Sequence, residues 1–253
     1  MSTRVPSTDP REPGFAGFLV LDKPAGISSA KALNAVKKRL RNEAGRKIKV
    51  GHAGTLDPFA TGVLVVLCGQ ATKLCERVMG QAKVYEATVQ LGATTATLDP
   101  ESDVIAGPNI DPPTEPQVQG VMAGMVGVIQ QVPPAFSAMK VGGRRAYDLA
   151  RDGQDVQLEA RPVRIDALEL LELTGLSLRL RVQSGRGFYV RSLARDLAEK
   201  LGTTGYLTQL CRTAVGPFTE RLAGDAQGPI HPITLIQSDP SAETGGNPDI
   251  LRS

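Results

Sequence analysis

The 253 residues, 41% of them hydrophobic and none of them tryptophan, are enough to bury one large core or two modest ones, and apolar runs such as VLVVL are far too short to cross a bilayer as a helix. Cys68, Cys75 and Cys211 have no CxxC spacing, and His52 and His231 are far apart in sequence, which argues against a disulfide framework and against a metal site built on Cys or His. Net charge is only +3, yet residues 31–49 hold eight basic side chains and one acid, while residues 214–253 hold five acids and two arginines; the basic cluster points to a polyanionic partner or, equally, to a solvated helix face.

The opening MSTRVPSTDPREPG is polar and proline-rich. It lacks the apolar stretch of a signal peptide, so a cytoplasmic protein with a disordered tail over residues 1–15 is expected. FLVLDKP reads as a strand ended by Asp-Lys-Pro. Ser28 and Ser29 are good helix caps, and Leu33, Val36 and Leu40 then fall at helical spacing with the basic residues largely off that stripe. The glycine-rich stretch GHAGTLDPFATG comes next, then an apolar strand over residues 63–68. ATKLCERVMG reads as a helix closed by Gly80, and KVYEATVQLGATT alternates as a strand does. Residues 97–115, rich in Asp, Pro and Gly, read as loop. EPQVQGVMAGMVGVIQQV mixes helical and strand signals and stays undecided. AFSAM reads as a strand and RRAYDLARDG as a helix with a glycine stop. RPVRIDALELLEL and LSLRLRVQ are two strands around Thr174-Gly175. GFYVRSLARDLAEKLG starts extended and becomes a helix that Gly202 ends, and GYLTQLCRTAV is a last strand.

Strands outnumber helices and several neighbours look antiparallel. The expected class is α+β, with helices on a mixed, mostly antiparallel sheet. No solenoid-length repeat is present. Residues 16–218 form the expected catalytic domain. Residues 219–253 read as a short tail, acidic and rich in Gly and Pro, dispensable from about Gly224 onward.

GHAGTLDPFATG lacks the Gly-Lys-Ser/Thr of a P-loop and the GxGxxG of a dinucleotide turn. A glycosidase-like carboxylate pair would need a second acid. Asp99, Glu101 and Asp103 lie in the loop with nothing to mark them. Asp57 by itself reads as an Asp-Pro turn residue or helix cap.

As one of an ordered series of motifs, GHAGTLDPFATGVLVVLCGQATKL resembles the catalytic motif of the bacterial TruB family of pseudouridine synthases. GFLVLDKPAGISSAKALNAVKK is similar to that family's opening strand and Lys-Pro motif, and KVYEATVQLGATTATLD to its tyrosine motif. VPPAFSAMKVGGRRAYDLARDGQ resembles its middle block, and GRGFYVRSLARDLAEKLG its arginine motif, with YLTQLCRTAVGPF after it. The resemblance runs in order from about Gly17 to Phe218.

That resemblance implies isomerisation of the T-loop uridine of tRNA, at position 55, to pseudouridine by one aspartate, with no metal and no cofactor. The base leaves ribose at N1, turns and rejoins through C5. The carboxylate either attacks sugar or base, or removes a sugar proton to give a glycal, and the sequence leaves both routes open. By resemblance Asp57 is that aspartate, ionised at neutral pH if its pKa is near the ordinary value of about 3.9. Arg191 matches the arginine that pairs with it; as a helix-start residue it could equally pair with Asp196 or Glu199. Tyr85 matches a tyrosine stacked on the uracil, though a strand tyrosine is often simply packed. His52 matches a histidine contacting the T-loop, or is a hydrogen-bonded turn residue. Lys23 and Pro24 match the Lys-Pro pair, Lys23 touching phosphate or buttressing the loop. Leu210 matches an apolar residue lining the uracil pocket.

A monomer acting on the tRNA T-arm is expected, away from membranes, since RNA is read at loops and splayed bases. Lys37, Lys38 and Arg41 on the basic helix, and Arg144 and Arg145 in KVGGRRAYDLAR, are the expected backbone contacts. The bacterial family commonly ends in a small RNA-binding PUA domain, and the 35 residues after Phe218 are too few for one. RNEAGRKIK, longer than usual, is one candidate compensation, and the sequence leaves open how the missing domain is compensated. The rival reading is a non-catalytic RNA-binding or RNA-folding protein on the same scaffold. Asp57, Tyr85 and Arg191 together argue against it, because binding alone needs no aspartate.

Overall fold

Every residue but Asp22 is buried in strand β1 (Ala16–Lys23), because its apolar side chains occupy both faces. The structure is a computed structural model that describes residues 7–233 apart from 138, 142–143, 147–148 and 150–157. Ser28 caps helix α1 (Ser29–Ala44), accepting from the Lys31 amide at 3.2 Å, and Gly45 ends it in the left-handed region. Ala32, Leu33, Val36 and Leu40 are its buried stripe, while Lys31, Lys37, Lys38 and Arg41 are exposed. Next come β2 (Val50–His52), the glycine-rich loop and β3 (Thr61–Gly69). β3 pairs antiparallel with β1, from Ala16 opposite Gly69 to Lys23 opposite Gly62, and with β2. This register sets Lys23, at the end of β1, beside the loop that precedes β3. A 3-10 turn (Gln70–Leu74) and helix α2 (Cys75–Met79) replace the single helix expected there.

Further along are β4 (Lys83–Leu91), β5 (Ala93–Thr95), β6 (Val104–Ala106), α3 (Glu115–Ala123), β7 (Gly127–Gln131), β8 (Lys140–Val141), β9 (Arg144–Arg145), β10 (Arg161–Thr174), β11 (Ser177–Ser184), α4 (Val190–Lys200) and β12 (Gly205–Val215). β13 (Phe218–Thr219), β14 (Ala223–Gly224) and β15 (His231–Pro232) complete the described chain. Two units result: residues 1–81 with 212–253, and residues 82–211. The division falls inside β12, between Cys211 and Arg212.

In the first unit, Ala16, Phe18, Val20, Val63, Val65, Leu67, Val215, Phe218 and Ile233 belong to one buried cluster. Phe18 meets the Phe218 ring edge-on at 5.1 Å and stacks with His231 at 5.2 Å. β14 pairs parallel and β15 antiparallel with β1, and Arg39 of α1 donates to the carbonyls of Ala226 and Gly228. Residues 224–233 are therefore docked where a dispensable tail is expected, because Ile233 fills the core and β1 offers backbone groups for pairing. Residues 7–15, expected as part of a disordered tail, also fold onto this unit. Phe15 is buried, its carbonyl accepts from the Gln70 amide at 2.9 Å, and Arg46 donates to the carbonyls of Pro10 and Glu12. Residues 1–6 and 234–253 lie outside the described residues.

The second unit holds a sheet in the order β4-β11-β10-β7, antiparallel throughout. α4 buries Leu193, Ala194 and Leu197, and α3 buries Val118 and Met122. The undecided stretch resolves into α3 and then β7: Gln117 accepts from the Thr114 amide at 2.7 Å to start the helix, and Gly127, at φ 105°, starts the strand. AFSAM forms bends over residues 135–137 rather than a strand, with residue 138 outside the described residues. Most of RRAYDLARDG also lies outside them; its first two residues form β9, and the described Ala146 and Leu149 after them are helical, as expected. The architecture is α+β, with mostly antiparallel strands and helices α1 to α4.

Candidate active site

The loop around Asp57 has few ladder hydrogen bonds of its own, so other groups must satisfy its backbone. Four do so, all in the first unit. Ser29, at the start of α1, both donates to the Leu56 carbonyl and accepts from the Leu56 amide, each at 2.8 Å. The fully buried Lys23 ammonium donates to the carbonyls of Pro24 and Ile27 at 2.8 Å and Pro58 at 3.1 Å. The Gly26 amide donates to Pro58 at 2.8 Å. Arg212, also buried, donates to the carbonyls of Val63 at 2.8 Å, Gly54 at 3.0 Å and Thr55 at 3.4 Å. The loop closes on itself where the Ala60 amide meets the Asp57 carbonyl. Asp57 is half-buried between these braces. Lys23 thus has the geometry of a buttress, and exposed Pro24 supplies a carbonyl to it.

In the second unit, Arg191 stands in the first turn of α4 with only 5% of its side chain exposed. It donates to the carbonyls of Thr97 and Phe136 at 2.9 Å each, and forms an ion pair with Asp99 at 3.3 Å. Asp99 is itself 1% exposed and accepts from the Thr97 hydroxyl and the Glu101 amide. Thr95 binds both the amide and the carbonyl of Asp99. The residue before it, Leu98, has φ 60°, the one non-glycine in the left-handed region among the described residues, and such strain persists only where surroundings over-determine it. Gln131 fixes the approach to α4: its amide group accepts from the Tyr189 amide at 2.9 Å and donates to the Tyr189 carbonyl at 3.2 Å. Asp196 and Glu199 lie with Arg195, at 2.7 and 3.9 Å.

A family model described as the N-terminal domain of TruB family pseudouridylate synthases matches residues 37–190. The chain belongs to the TruB family. It is 46% identical over 207 residues to tRNA pseudouridine synthase B of Novosphingobium aromaticivorans, covering 80% of this chain and 68% of that one. To the protein of the same name from Ruegeria sp. (strain TM1040) it is 47% identical over 239 residues, or 94% and 74% of the two chains. A solved Cbf5–Nop10–Gar1 complex is similar with a TM-score of 0.61 at 30% identity over 81% of this chain, which spans half the length, 50%, of that one.

Among the residues to which the TruB resemblance gives roles, the first unit holds Lys23, Pro24, His52 and Asp57, and the second holds Tyr85, Arg191 and Leu210. Tyr85 lies on β4 opposite Val182 of β11, 9% exposed, and Leu210 on β12 is 7% exposed. His52 ends β2 with its Nδ1 buried and without a hydrogen-bond partner among the described residues. Burial, then the nearby positive charges of Arg212 and Lys37, hold its pKa below the ordinary value and favour the neutral ring. Lys37, Lys38 and Arg41 share the exposed side of α1, whereas Arg39 and Arg46 bind other parts of the first unit, so the cluster is smaller than the sequence implies. Arg144 is exposed on β9 beside the backbone of Arg145. No cluster of His, Cys, Asp and Glu among the described residues could hold a metal.

Sequence reasoning misses Ser29 and Arg212 as braces of the Asp57 loop in the first unit, and Asp99 as the partner of Arg191 in the second. Asp99 closes the tyrosine motif, TTATLD, and that position is its only sequence signal.

Proposed function

We propose that this chain isomerises the T-loop uridine of tRNA, position 55, to pseudouridine, with Asp57 as the acting carboxylate. Membership of the TruB family carries the reading, supported by relatives named tRNA pseudouridine synthase B at 46–47% identity. The braced loop supports it further: a lone carboxylate held on a backbone pinned at Gly54, Thr55, Leu56 and Pro58 is preorganised for attack or proton removal at one sugar. In the overall balance the N1–C1′ bond breaks and a C5–C1′ bond forms. One proton leaves C5 and one arrives at N1, so the sum needs no oxidant, reductant or co-reactant.

In this reading Arg191 is the ion partner that keeps the carboxylate charged and oriented, itself fixed by Asp99 and two carbonyls. Tyr85 stacks on the flipped uracil and Leu210 lines its pocket. Extruding that base costs a few kcal/mol of stacking, which T-arm contacts offset. Exposed Lys37, Lys38 and Arg41 supply phosphate contacts, and the protein works as a cytoplasmic monomer. The test is incubation with unmodified tRNA transcript, then carbodiimide treatment and primer extension. A stop at the T-loop uridine supports the proposal. Tight tRNA binding with no stop on any transcript favours the RNA-folding reading instead.

A further inference from the structure

We infer that Arg212 is a positioning residue for the Asp57 loop. The inference rests on the proposed role of Asp57. Arg212 heads the fully buried side chains by size, at 1% exposure. A guanidinium out of water is costly unless its donors are used. Here Nε donates to Val63, Nη2 to Gly54 and Nη1 to Thr55. All three acceptors are backbone carbonyls, and two lie in the loop that carries Asp57. A planar fork of fixed donors holds carbonyls from the loop and from β3 together in a geometry that the point-like ammonium of a lysine does not match.

The glycines of GHAGTLDPFATG fit this role. Gly62 has φ 97°, and a Cβ there would lie 2.3 Å from the Arg212 carbonyl; Gly54 has φ 110°, and its Cβ would lie 3.4 Å from Arg212 Nη1. Gly62, in β3, is required by the close approach of the Arg212 backbone and by its positive φ, whereas Gly54 is required by its positive φ alone, the Arg212 side chain lying at ordinary contact distance. Ser29 and Lys23 hold Leu56 and Pro58 from the other direction. Only Arg212 joins the Gly54–Thr55 step to β3 by side-chain hydrogen bonds among those described. Releasing it frees the chain just before Asp57 and shifts the carboxylate without removing it.

The experiment compares wild type, R212K, R212Q and Asp57→Asn in single-turnover pseudouridine formation, tRNA filter binding and amide hydrogen exchange. R212K is expected to lower the single-turnover rate constant about 100-fold, the size of a 1 Å misplacement. Its tRNA dissociation constant is expected to stay within about threefold, since backbone contacts dominate RNA binding. Exchange should quicken at the Ala53, Leu56 and Ala60 amides and not at β1, which a merely structural role would not produce. A folded R212K with wild-type rate and loop protection overturns the inference, as does a rate loss matched by equal loss of protection throughout β1. If R212K does not fold, R212Q serves; failure of both makes Arg212 a folding residue and overturns the inference too. Activity of Asp57→Asn would instead sink the underlying reading of the loop, so the two failures are distinguishable.

Discussion

A carboxylate and a guanidinium withdrawn together from water hold one another in place, and removing one charge strands the other. Asp99 and Arg191 are such a pair, at 3.3 Å with 1% and 5% of their side chains exposed. Asp99→Asn keeps the size of the side chain and removes its charge. It should lower stability by about 3 kcal/mol in urea unfolding, and an unchanged midpoint would show that the other partners of Arg191 satisfy it. His52 gives a pH dependence. Its folded pKa lies below the ordinary value of about 6.5. As pH falls below that value the unfolded chain takes up a proton that the folded chain refuses. Stability is thus fully present above it and is lost as pH falls through the folded pKa. His52→Asn should remove this acid slope from a series of urea titrations; identical slopes would mean that the ring titrates normally. At this scale sequence points to Asp57 only through the resemblance of its motif to that of the TruB family; by itself it reads as an Asp-Pro turn residue. Sequence gives no sign that Arg212 braces the loop, its acceptors lying 149 to 158 residues away in the chain, and none of the partner of Asp99, which is on a distant helix.

Among the elements, α1 presents a face of opposite character to its buried stripe: Lys37, Lys38 and Arg41 point outward where Val36 and Leu40 point in. Replacing the three with Gln should weaken tRNA binding and flatten the dependence of log affinity on log salt by roughly 2 to 3. Unchanged affinity and slope would make the face merely solvated. β15 and Ile233 complete the first unit. Ile233→Ala, at a wholly buried position in the same cluster as Phe18 and Phe218, should cost about 2 to 4 kcal/mol by thermal or urea unfolding; a cost near zero would return residues 224–233 to the role of a loose tail. Composition hides this segment, because glycine, proline and acids surround the isoleucine that docks. α1, β4 and the β10–β11 hairpin are readable because each is long enough to show a period, and β1 because its apolar run stops at Asp-Lys-Pro. β2, β5, β6, β13, β14 and β15 are two or three residues long and carry none. They exist because neighbouring strands present backbone groups to pair with.

At the scale of the whole molecule, the ordered series of motifs from Gly17 to Phe218 gives the family and the fold class without coordinates. The two-unit division escapes sequence reading because it falls within a single strand, β12, whose residues show no break in pattern. Leu210 and Arg212 are two residues apart and belong to different units, one with Tyr85 and Arg191, the other with Asp57 and its braces. The central claim is that this chain makes pseudouridine in tRNA through the carboxylate of Asp57. Single-turnover product formation by wild type and Asp57→Asn, on one unmodified tRNA transcript with filter binding of both proteins, tests it most directly. Wild type is predicted to give product at the T-loop uridine and Asp57→Asn none, with tRNA affinities within about threefold of each other because binding is spread over backbone and loop contacts. Product from Asp57→Asn at the wild-type rate, or none from wild type that binds the transcript, would contradict it.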